Sequence, residues 1–336
     1  MSTNNNNNNL VKRNLTEIIT EEEFNNLLKE KKQPVTYCGY ETSGPVHIGT
    51  MVAINKQVDF QDAGFLVKVL FADVHTHLNK KGSEEWIENM VEYWKNCFIA
   101  LGLDKAEFVR GMDFEFDKNY VHDVLELGLH TTLNRARRSM QDVARDLEHA
   151  SVSQMIYPIM QIADIKALGV DIAHGGMEQR KIHALAREVL PWIDYKKPVC
   201  VHTPLLCSLQ GPGSKMSSSK PETMISVADS PEEIKKKIRH AFCPPAEIEG
   251  NPVIEMCKYL IFTKYDSMKI SRPEKFGWDI IFNSYSELEE KYLAGALHPM
   301  DLKSGVSENI IKILEPVRDM IEAKELEFPG KRLSDN

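Results

Sequence analysis

Apolar residues fall along this chain in two alternating textures. Short runs rich in Val, Ile, Phe and Tyr occupy residues 35–40, 65–73, 107–110, 170–173 and 199–202, and each reads as a strand. Between them, residues 52–60, 84–101, 120–147 and 155–168 carry apolar positions at helical spacing. This alternation predicts a parallel sheet with helices on both faces, a Rossmann-like α/β fold. Ligands in such sheets bind beyond the carboxyl ends of the strands, so functional residues are expected there. After about Pro221 helical spacing dominates, at 231–241, 254–263, 287–295 and 308–325, punctuated by Pro244-Pro245 and Gly250-Asn251-Pro252. Three parts are expected: an Asn-rich leader without fixed structure over 1–13, an α/β catalytic domain over 14–224, and a mainly helical domain over 225–336.

Composition narrows the class. A chain of 336 residues can hold two domains, and 42% hydrophobic with 27% charged residues is ordinary for a globular protein. No apolar stretch has membrane-spanning length, and the polar run from Asn4 to Asn9 lacks the apolar core of a signal peptide, so no membrane partner is expected. Cysteines at 38, 97, 200, 207, 243 and 257 form no Cys-x-x-Cys pair, which points to reduced thiols in the cytoplasm and away from structural zinc. The net charge of −8 argues against binding nucleic acid through overall charge. Local basic clusters remain: Arg135, Arg137 and Arg138; Arg180 and Lys181; and Lys235, Lys236, Lys237 and Arg239. For the last, a solvated helix face and RNA contact both stay open, because Glu232 and Glu233 lie beside it.

Two stretches carry phosphate chemistry. In Pro45-Val46-His47-Ile48-Gly49-Thr50, a His falls at the start of the helix after the first strand. A helix start offers free N–H groups and a positive dipole end, and Gly49 leaves room for a base or ribose against the backbone. Gly211-Pro212-Gly213-Ser214 reads as a flexible loop leading into Lys215-Met216-Ser217-Ser218-Ser219, a cation and hydroxyls suited to a leaving pyrophosphate. The pair resembles the two ATP-handling signatures of class I aminoacyl-tRNA synthetases. It departs from them at Thr50, where the family has a second His, and at Ser218, where it has a Lys; Lys220 stands near enough to supply some of that charge.

Tyr157, Gln161 and Asp164, spaced i, i+4 and i+7, share one face of an otherwise apolar helix and suit a pocket wall. Gly175 and Gly176 follow a strand, with Glu178 placed to accept from ribose hydroxyls. His75 and His77, following Asp73 at the end of the second long strand, would share a strand face. With no third ligand at a suggestive spacing, structural hydrogen bonding is expected there and no metal site.

Tyr37-Cys38-Gly39-Tyr40-Glu41, Tyr157-Pro158-Ile159-Met160-Gln161 with Asp164, and Gly175-Gly176-Met177-Glu178-Gln179-Arg180-Lys181 together resemble tyrosyl-tRNA synthetase in its archaeal and eukaryotic form. Arg272-Pro273-Glu274-Lys275-Phe276-Gly277 and His298-Pro299-Met300-Asp301 extend the likeness into the C-terminal part. The resemblance implies that Tyr37 and Asp164 bind the phenol hydroxyl of tyrosine, and that Tyr157, Gln161 and Gln179 bind its amino group. For ATP, taken with Mg2+, it implies His47, Gly49, Thr50, Gly176, Glu178, Lys215, Met216, Ser217 and Ser218, with His47 and Lys215 stabilising charge in catalysis. Arg138, Arg180 and Lys181 would lie near the acceptor end of tRNA(Tyr), and Phe276, His298 and Asp301 near its anticodon, where an aromatic ring can stack and a carboxylate can accept. For Phe276 and Asp301 the plainer roles, helix packing and a helix N-cap, stay open. A homodimer joined through the first domain is also implied.

Three rival readings are weighed against this one. A tryptophanyl-tRNA synthetase shares the fold and the signatures, but an indole does not need Tyr37 and Asp164. A non-catalytic RNA-binding relative is expected to have lost its phosphate motifs. His47, Gly49 and Lys215 are intact, although Thr50 keeps that reading open. A nucleotidyltransferase for a small substrate would leave the basic helices without a purpose.

Overall fold

The structure, a computed structural model, describes residues 9–143, 149–216, 220–272, 274, 278–326, 328 and 329, with Ser214 and Lys215 described by their backbone. Ser217, Ser218, Ser219 and Phe276 lie outside the described residues, as does the side chain of Lys215.

The central sheet has six strands: β1 (Glu17–Ile19), β2 (Val35–Tyr40), β3 (Leu66–Phe71), β4 (Glu107–Arg110), β5 (Ile172–Gly176) and β6 (Val199–Thr203), in the spatial order β1-β6-β5-β2-β3-β4. All neighbours are parallel except the edge strand β1, which runs antiparallel to β6 and was not expected from the sequence. The chain builds outward from β2 through β3 to β4, then returns to the other side of β2 with β5. The crevice between β2 and β5 is therefore the topological switch point, where an open parallel sheet receives its ligand. Side chains alternate along the strands: Val67, Val69 and Phe71 enter one apolar cluster, while Leu70 and Ala72 enter a second. Tyr37 and Cys38 divide in the same way, so the two clusters lie on opposite faces of the sheet.

Helices α1 (Glu21–Glu30), α2 (Ile48–Asp62), α3 (Asp73–Leu78), α4 (Glu84–Ala100), α5 (Lys118–Leu129), α6 (Leu133–Ser139), α7 (Val152–Ala167) and α8 (Arg180–Val189) complete this part. Three expectations are corrected here. Asp73, His75 and His77 stand on α3 and not on an extended β3, because Ala72 ends the strand as the N-cap of the helix. The single helix expected over 120–147 is broken after Leu129. Thr132 accepts a hydrogen bond from the Arg135 amide and starts α6. Residues 211–214 are not a free loop: β8 (Gly211–Lys215) pairs antiparallel with β7 (Cys207–Ser208). Within the expected leader, Val11 is buried in the core, its carbonyl accepts from Lys56 Nζ at 3.2 Å, and Arg13 pairs with Asp59. Residues 9–13 thus pack on α2.

The C-terminal part holds α9 (Pro231–His240), a helix from Pro252 that passes through a π-helical turn at Cys257–Ile261, the hairpin β9 (Met268–Ile270) and β10 (Ile280–Phe282), α10 (Tyr285–Leu293) and the long α11 (Pro299–Ala323). The Ser230 hydroxyl and the Glu233 carboxylate close a capping box on α9, and Lys237 pairs with Asp229, as on a solvated helix face. His298 caps α11 by accepting from the Met300 amide at 3.1 Å, with Pro299 following. Asp301 therefore sits in the first turn and is not the N-cap. Residues near the expected junction at 224–225 are stitched to the first motif: Ile48 N donates to Ile225 O at 3.0 Å and Val227 N to Val46 O at 3.0 Å.

Candidate active site

A cavity of about 300 Å³ opens at the switch point, beyond the carboxyl ends of β2 and β5. Its floor is made by Tyr37 from β2, His75 from α3, and Tyr157, Gln161 and Asp164 from α7. The i, i+4, i+7 stripe read from the sequence thus does face a pocket. Gln161 Nε2 donates to Gln179 Oε1 at 3.0 Å, which joins α7 to the segment after β5. The edge of the Tyr157 ring meets the His75 ring, centroids 4.6 Å apart.

The floor is deeply desolvated. Burial, with the nearby Asp164 charge, pushes the Tyr37 phenol well above its ordinary range, so it stays a neutral donor. Burial and then the charge of Glu115 push Asp164 up, while His75 and a hydrogen bond from Tyr120 pull it down. Tyr120 OH donates to Asp164 Oδ1 at 2.7 Å and also reaches the Met160 carbonyl at 3.0 Å. Two floor residues were missed from sequence. Tyr120 comes from α5 and Glu115 from the loop after β4, and neither stands in a motif; only the fold brings them to α7.

Toward the mouth the lining changes to His47, Gly49 and Thr50 at the start of α2, Gly176, Glu178 and Gln179 after β5, and Met216 beyond β8. His47 is the N-cap of α2. Its Nδ1 accepts from the Gly49 amide at 3.1 Å, which leaves the ring N–H on Nε2. Burial pulls its pKa down to about 4, so it is a neutral imidazole with one donor. Gly49 is required by crowding: a Cβ there would fall 2.9 Å from the His47 ring and 3.5 Å from Met216 Cβ. A Cβ on Gly176 would fall 2.3 Å from a Glu178 carboxylate oxygen, so this glycine first of all makes room for Glu178. Glu41 accepts from Asn79 Nδ2 at 2.9 Å and pairs with Lys81.

A family model for tRNA synthetases class I (W and Y) matches residues 29–315. The chain is 52% identical over 313 residues to the tyrosine–tRNA ligase of Methanococcoides burtonii, covering 93% of this chain and 98% of that one. It is 50% identical to the tyrosine–tRNA ligase of Methanopyrus kandleri, with 93% and 96% covered. The crystal structure of tyrosyl-tRNA synthetase complexed with L-tyrosine from Archaeoglobus fulgidus matches with a TM-score of 0.91 at 48% identity, covering 94% of this chain and 99% of that chain. The chain belongs to the tyrosyl-tRNA synthetase family.

Elsewhere on this synthetase, the basic residues singled out from sequence fall in two places. Helices α6 and α8 pack together, and Lys181 Nζ donates to Gln141 Oε1 at 3.0 Å, three positions beyond Arg138. Arg138, Arg180 and Lys181 therefore share one surface. Arg180 is held by both oxygens of Glu17, at 2.9 and 2.8 Å, and Lys181 pairs with Asp142 at 2.9 Å, so their charge is partly balanced within the chain. His298 and Asp301 stand apart from these, at the start of α11.

A third potential ligand, not seen at any suggestive spacing in the sequence, does stand beside His75: ligand atoms of His75, Glu115 and Asp164 lie within 4.8 Å of one another, all buried. Glu115 escaped the sequence reading because it is brought to His75 through the strand order and not by spacing.

Proposed function

We infer that the chain is an ATP-dependent tyrosine–tRNA ligase. A tyrosine carboxylate oxygen attacks the α-phosphorus of ATP, the bond to the pyrophosphate leaving group breaks, and tyrosyl-adenylate forms. A ribose hydroxyl at the 3′ end of tRNA(Tyr) then attacks the tyrosyl carbonyl and AMP leaves. The observation that carries this reading is the gradient within one cavity: a buried floor of phenol and carboxyl groups, then paired amides, then a helix start with His47. That order matches the phenol and the amino acid head group of tyrosine and then the phosphates of ATP.

In this reading Tyr37 and Asp164 hold the phenol hydroxyl, and Tyr157, Gln161 and Gln179 hold the ammonium group. Gly176 and Glu178 take the ribose. His47, Gly49 and Thr50, with Lys215, Met216, Ser217 and Ser218, take the phosphates. Rate comes from alignment and from donors aimed at developing charge, and no residue acts as a covalent nucleophile. His47 donates from Nε2 as a neutral group, which keeps that contact constant across physiological pH. Mg2+ arrives with ATP and neutralises phosphate charge. At the mouth, Glu41 and Glu178 are the carboxylates that line the cavity. Arg138, Arg180 and Lys181 meet the acceptor end of the tRNA by exchanging their carboxylate partners for phosphates. Phe276, His298 and Asp301 meet the anticodon. The residue ranges 14–224 and 225–336 serve these two tasks respectively. The free state of all six thiols is in keeping with the cytoplasm, and among the described residues no helix is long and apolar enough to cross a membrane.

The test is exchange of labelled pyrophosphate into ATP with tyrosine, phenylalanine and tryptophan compared. Exchange with tyrosine alone is the expected result. Exchange with tryptophan overturns the floor assignment, and none at all in a folded, tRNA-binding protein points to the non-catalytic reading through Thr50 and Ser218.

The chain acts as a homodimer in this proposal. Val121, Leu125 and Leu129 recur every four residues along α5 and are exposed, with Leu133 and Phe116 exposed beside them. An apolar stripe of that extent on a charged protein suits a self-complementary interface. Leu125→Glu with Leu129→Glu is expected to convert a dimer to a monomer in analytical ultracentrifugation. A wild-type monomer would overturn the assignment.

A further inference from the structure

Behind Asp164 lies a closed group of side chains that neither half of the reaction uses. His75 turns Nδ1 to Glu115 Oε1 at 3.4 Å and Nε2 to Asp164 Oδ2 at 3.8 Å. His75 and Asp164 are each 1% exposed and Glu115 2%. Neither oxygen of Glu115 has a hydrogen-bond partner. A carboxylate buried in that way is strongly destabilising unless an opposite charge answers it.

The loop around Glu115 is shaped to bring it there. A Cβ on Gly111 would fall 2.3 Å from Glu115 Oε1 and 2.9 Å from Asp73 Oδ1, so glycine here leaves the Glu115 carboxylate its place. Asp73 fastens the same loop: its Oδ1 accepts from the Met112 amide at 2.9 Å and its Oδ2 from Arg110 Nε at 3.0 Å. The Glu115 amide then donates to the Gly111 carbonyl at 2.8 Å.

The groups facing His75 are Glu115 from this loop, Asp164 and the Tyr157 ring from α7, and Asp73 from its own helix. Tyr120 from α5 and Tyr37 from β2 act on the other side of Asp164. Burial disfavours a charged imidazole, but Glu115, followed by Asp164 and Asp73, more than offsets it and raises the His75 pKa to about 9. At neutral pH the ring is an imidazolium lying between two carboxyl groups.

We propose that Glu115 is a positioning residue for tyrosine selectivity: it anchors His75 between two carboxyl groups and so sets the charge and direction of Asp164 at the pocket floor. The proposal rests on the reading of Asp164 as the acceptor for the substrate phenol. With Oδ1 held by Tyr120 and Oδ2 facing His75, the carboxyl cannot turn away, and a phenol hydroxyl meets an acceptor of fixed direction. The same three side chains have donor types that a metal would accept. However, each nitrogen of the ring lies within ion-pair distance of a different carboxyl group, at 3.4 and 3.8 Å, which suits a charged imidazolium between them better than a metal ion.

The experiment is nitrogen NMR of histidine-labelled full-length protein, with His75 assigned through His75→Gln, combined with pyrophosphate exchange across pH 6 to 8.5. In the wild type, His75 is expected to stay protonated through this range and KM for tyrosine to stay flat. In Glu115→Gln, which preserves shape, the His75 midpoint is expected to fall into the range. KM for tyrosine then rises with pH by roughly tenfold, the equivalent of about one pKa unit, with kcat little changed. Glu115→Asp restores part of the flat profile. A neutral His75 at pH 7 in the wild type overturns the proposal without needing any variant. So does an unbent KM profile in Glu115→Gln, or stoichiometric zinc in the wild type that Glu115→Gln loses. If the wild type exchanges no pyrophosphate with tyrosine, the proposal falls with the functional reading. If exchange is intact and the NMR result is negative, the proposal falls alone.

Discussion

Asp164→Ala is expected to lower kcat/KM for tyrosine in pyrophosphate exchange by roughly 10³-fold or more, while phenylalanine is used as well as before or better. The two directions follow from one cause. In the wild type a substrate ring without a hydroxyl makes no bond to the buried carboxyl and the Tyr37 phenol, and the desolvation of those groups without that gain is lost from the binding energy of phenylalanine. Tyrosyl-tRNA synthetases are themselves the known case of this selectivity, roughly 10⁵ over phenylalanine without editing, so that magnitude is a property of the family and sets the scale for this pocket. Removing the acceptor takes the gain from tyrosine and the penalty from phenylalanine together. Initial exchange rates over a range of each amino acid at saturating ATP measure both. A variant that still prefers tyrosine by more than about 10⁴ would move the selectivity onto Tyr37 and away from the carboxyl.

The second large effect is on stability in acid. His174 and His183 are buried and His47 is half-buried, and desolvation is the main reason that the pKa values of His47, His174 and His183 are depressed, to about 4, to about 3 and well below the ordinary value respectively. Both ring nitrogens of His174 lack a hydrogen-bond partner. An unfolded imidazole takes up its proton near pH 6.5, whereas these folded ones do not until far lower, so the unfolded state binds more protons in between. Stability therefore falls as pH drops from about 6.5 toward 4. Asp164, whose pKa is raised chiefly by burial, opposes this, because its folded form binds a proton more readily than the unfolded chain does. His75 is already charged in both states there; its contribution is present below about 6.5 and is lost as pH rises through about 9. A net uptake of about two protons corresponds to roughly 3 kcal/mol per pH unit, against a total stability of about 5–15 kcal/mol. Urea unfolding at several pH values between 7.5 and 4.5 should show the midpoint collapsing over that interval. His174→Leu should reduce the slope by about one proton. A midpoint that holds constant down to pH 5 would mean that these histidines are charged, or reached by water, in the folded state.

Much of the site is legible in the chain itself. The i, i+4, i+7 spacing of Tyr157, Gln161 and Asp164 makes a polar stripe inside an apolar helix, and helical geometry alone places those three on one side. His47, after a strand and a chain break, has to lie near a helix start. The strands at 35–40 and 107–110 coincide with β2 and β4, because β-branched and aromatic residues favour strands. The misreadings share a different cause. Residue 73 reads as strand because apolar content cannot say where a strand ends. Gly211 to Ser214 read as a loop because glycine and proline do not reveal a partner strand such as Cys207–Ser208.

The sequence by itself determined what lies within a turn or two of its own neighbours: the alternation of strand and helix, the faces of α7 and the chemistry presented at the start of α2. Local geometry is short-ranged, so residue type and spacing suffice for it. Only the tertiary structure decided which distant groups share one dielectric. Glu115 and Tyr120 converge on Asp164 from the loop after β4 and from α5 through strand order and helix packing, which no spacing encodes. Their effect on its proton arises from the removal of water around all of them at once. The charge state of the pocket floor is therefore a property of the fold, although each residue that sets it was visible in the chain.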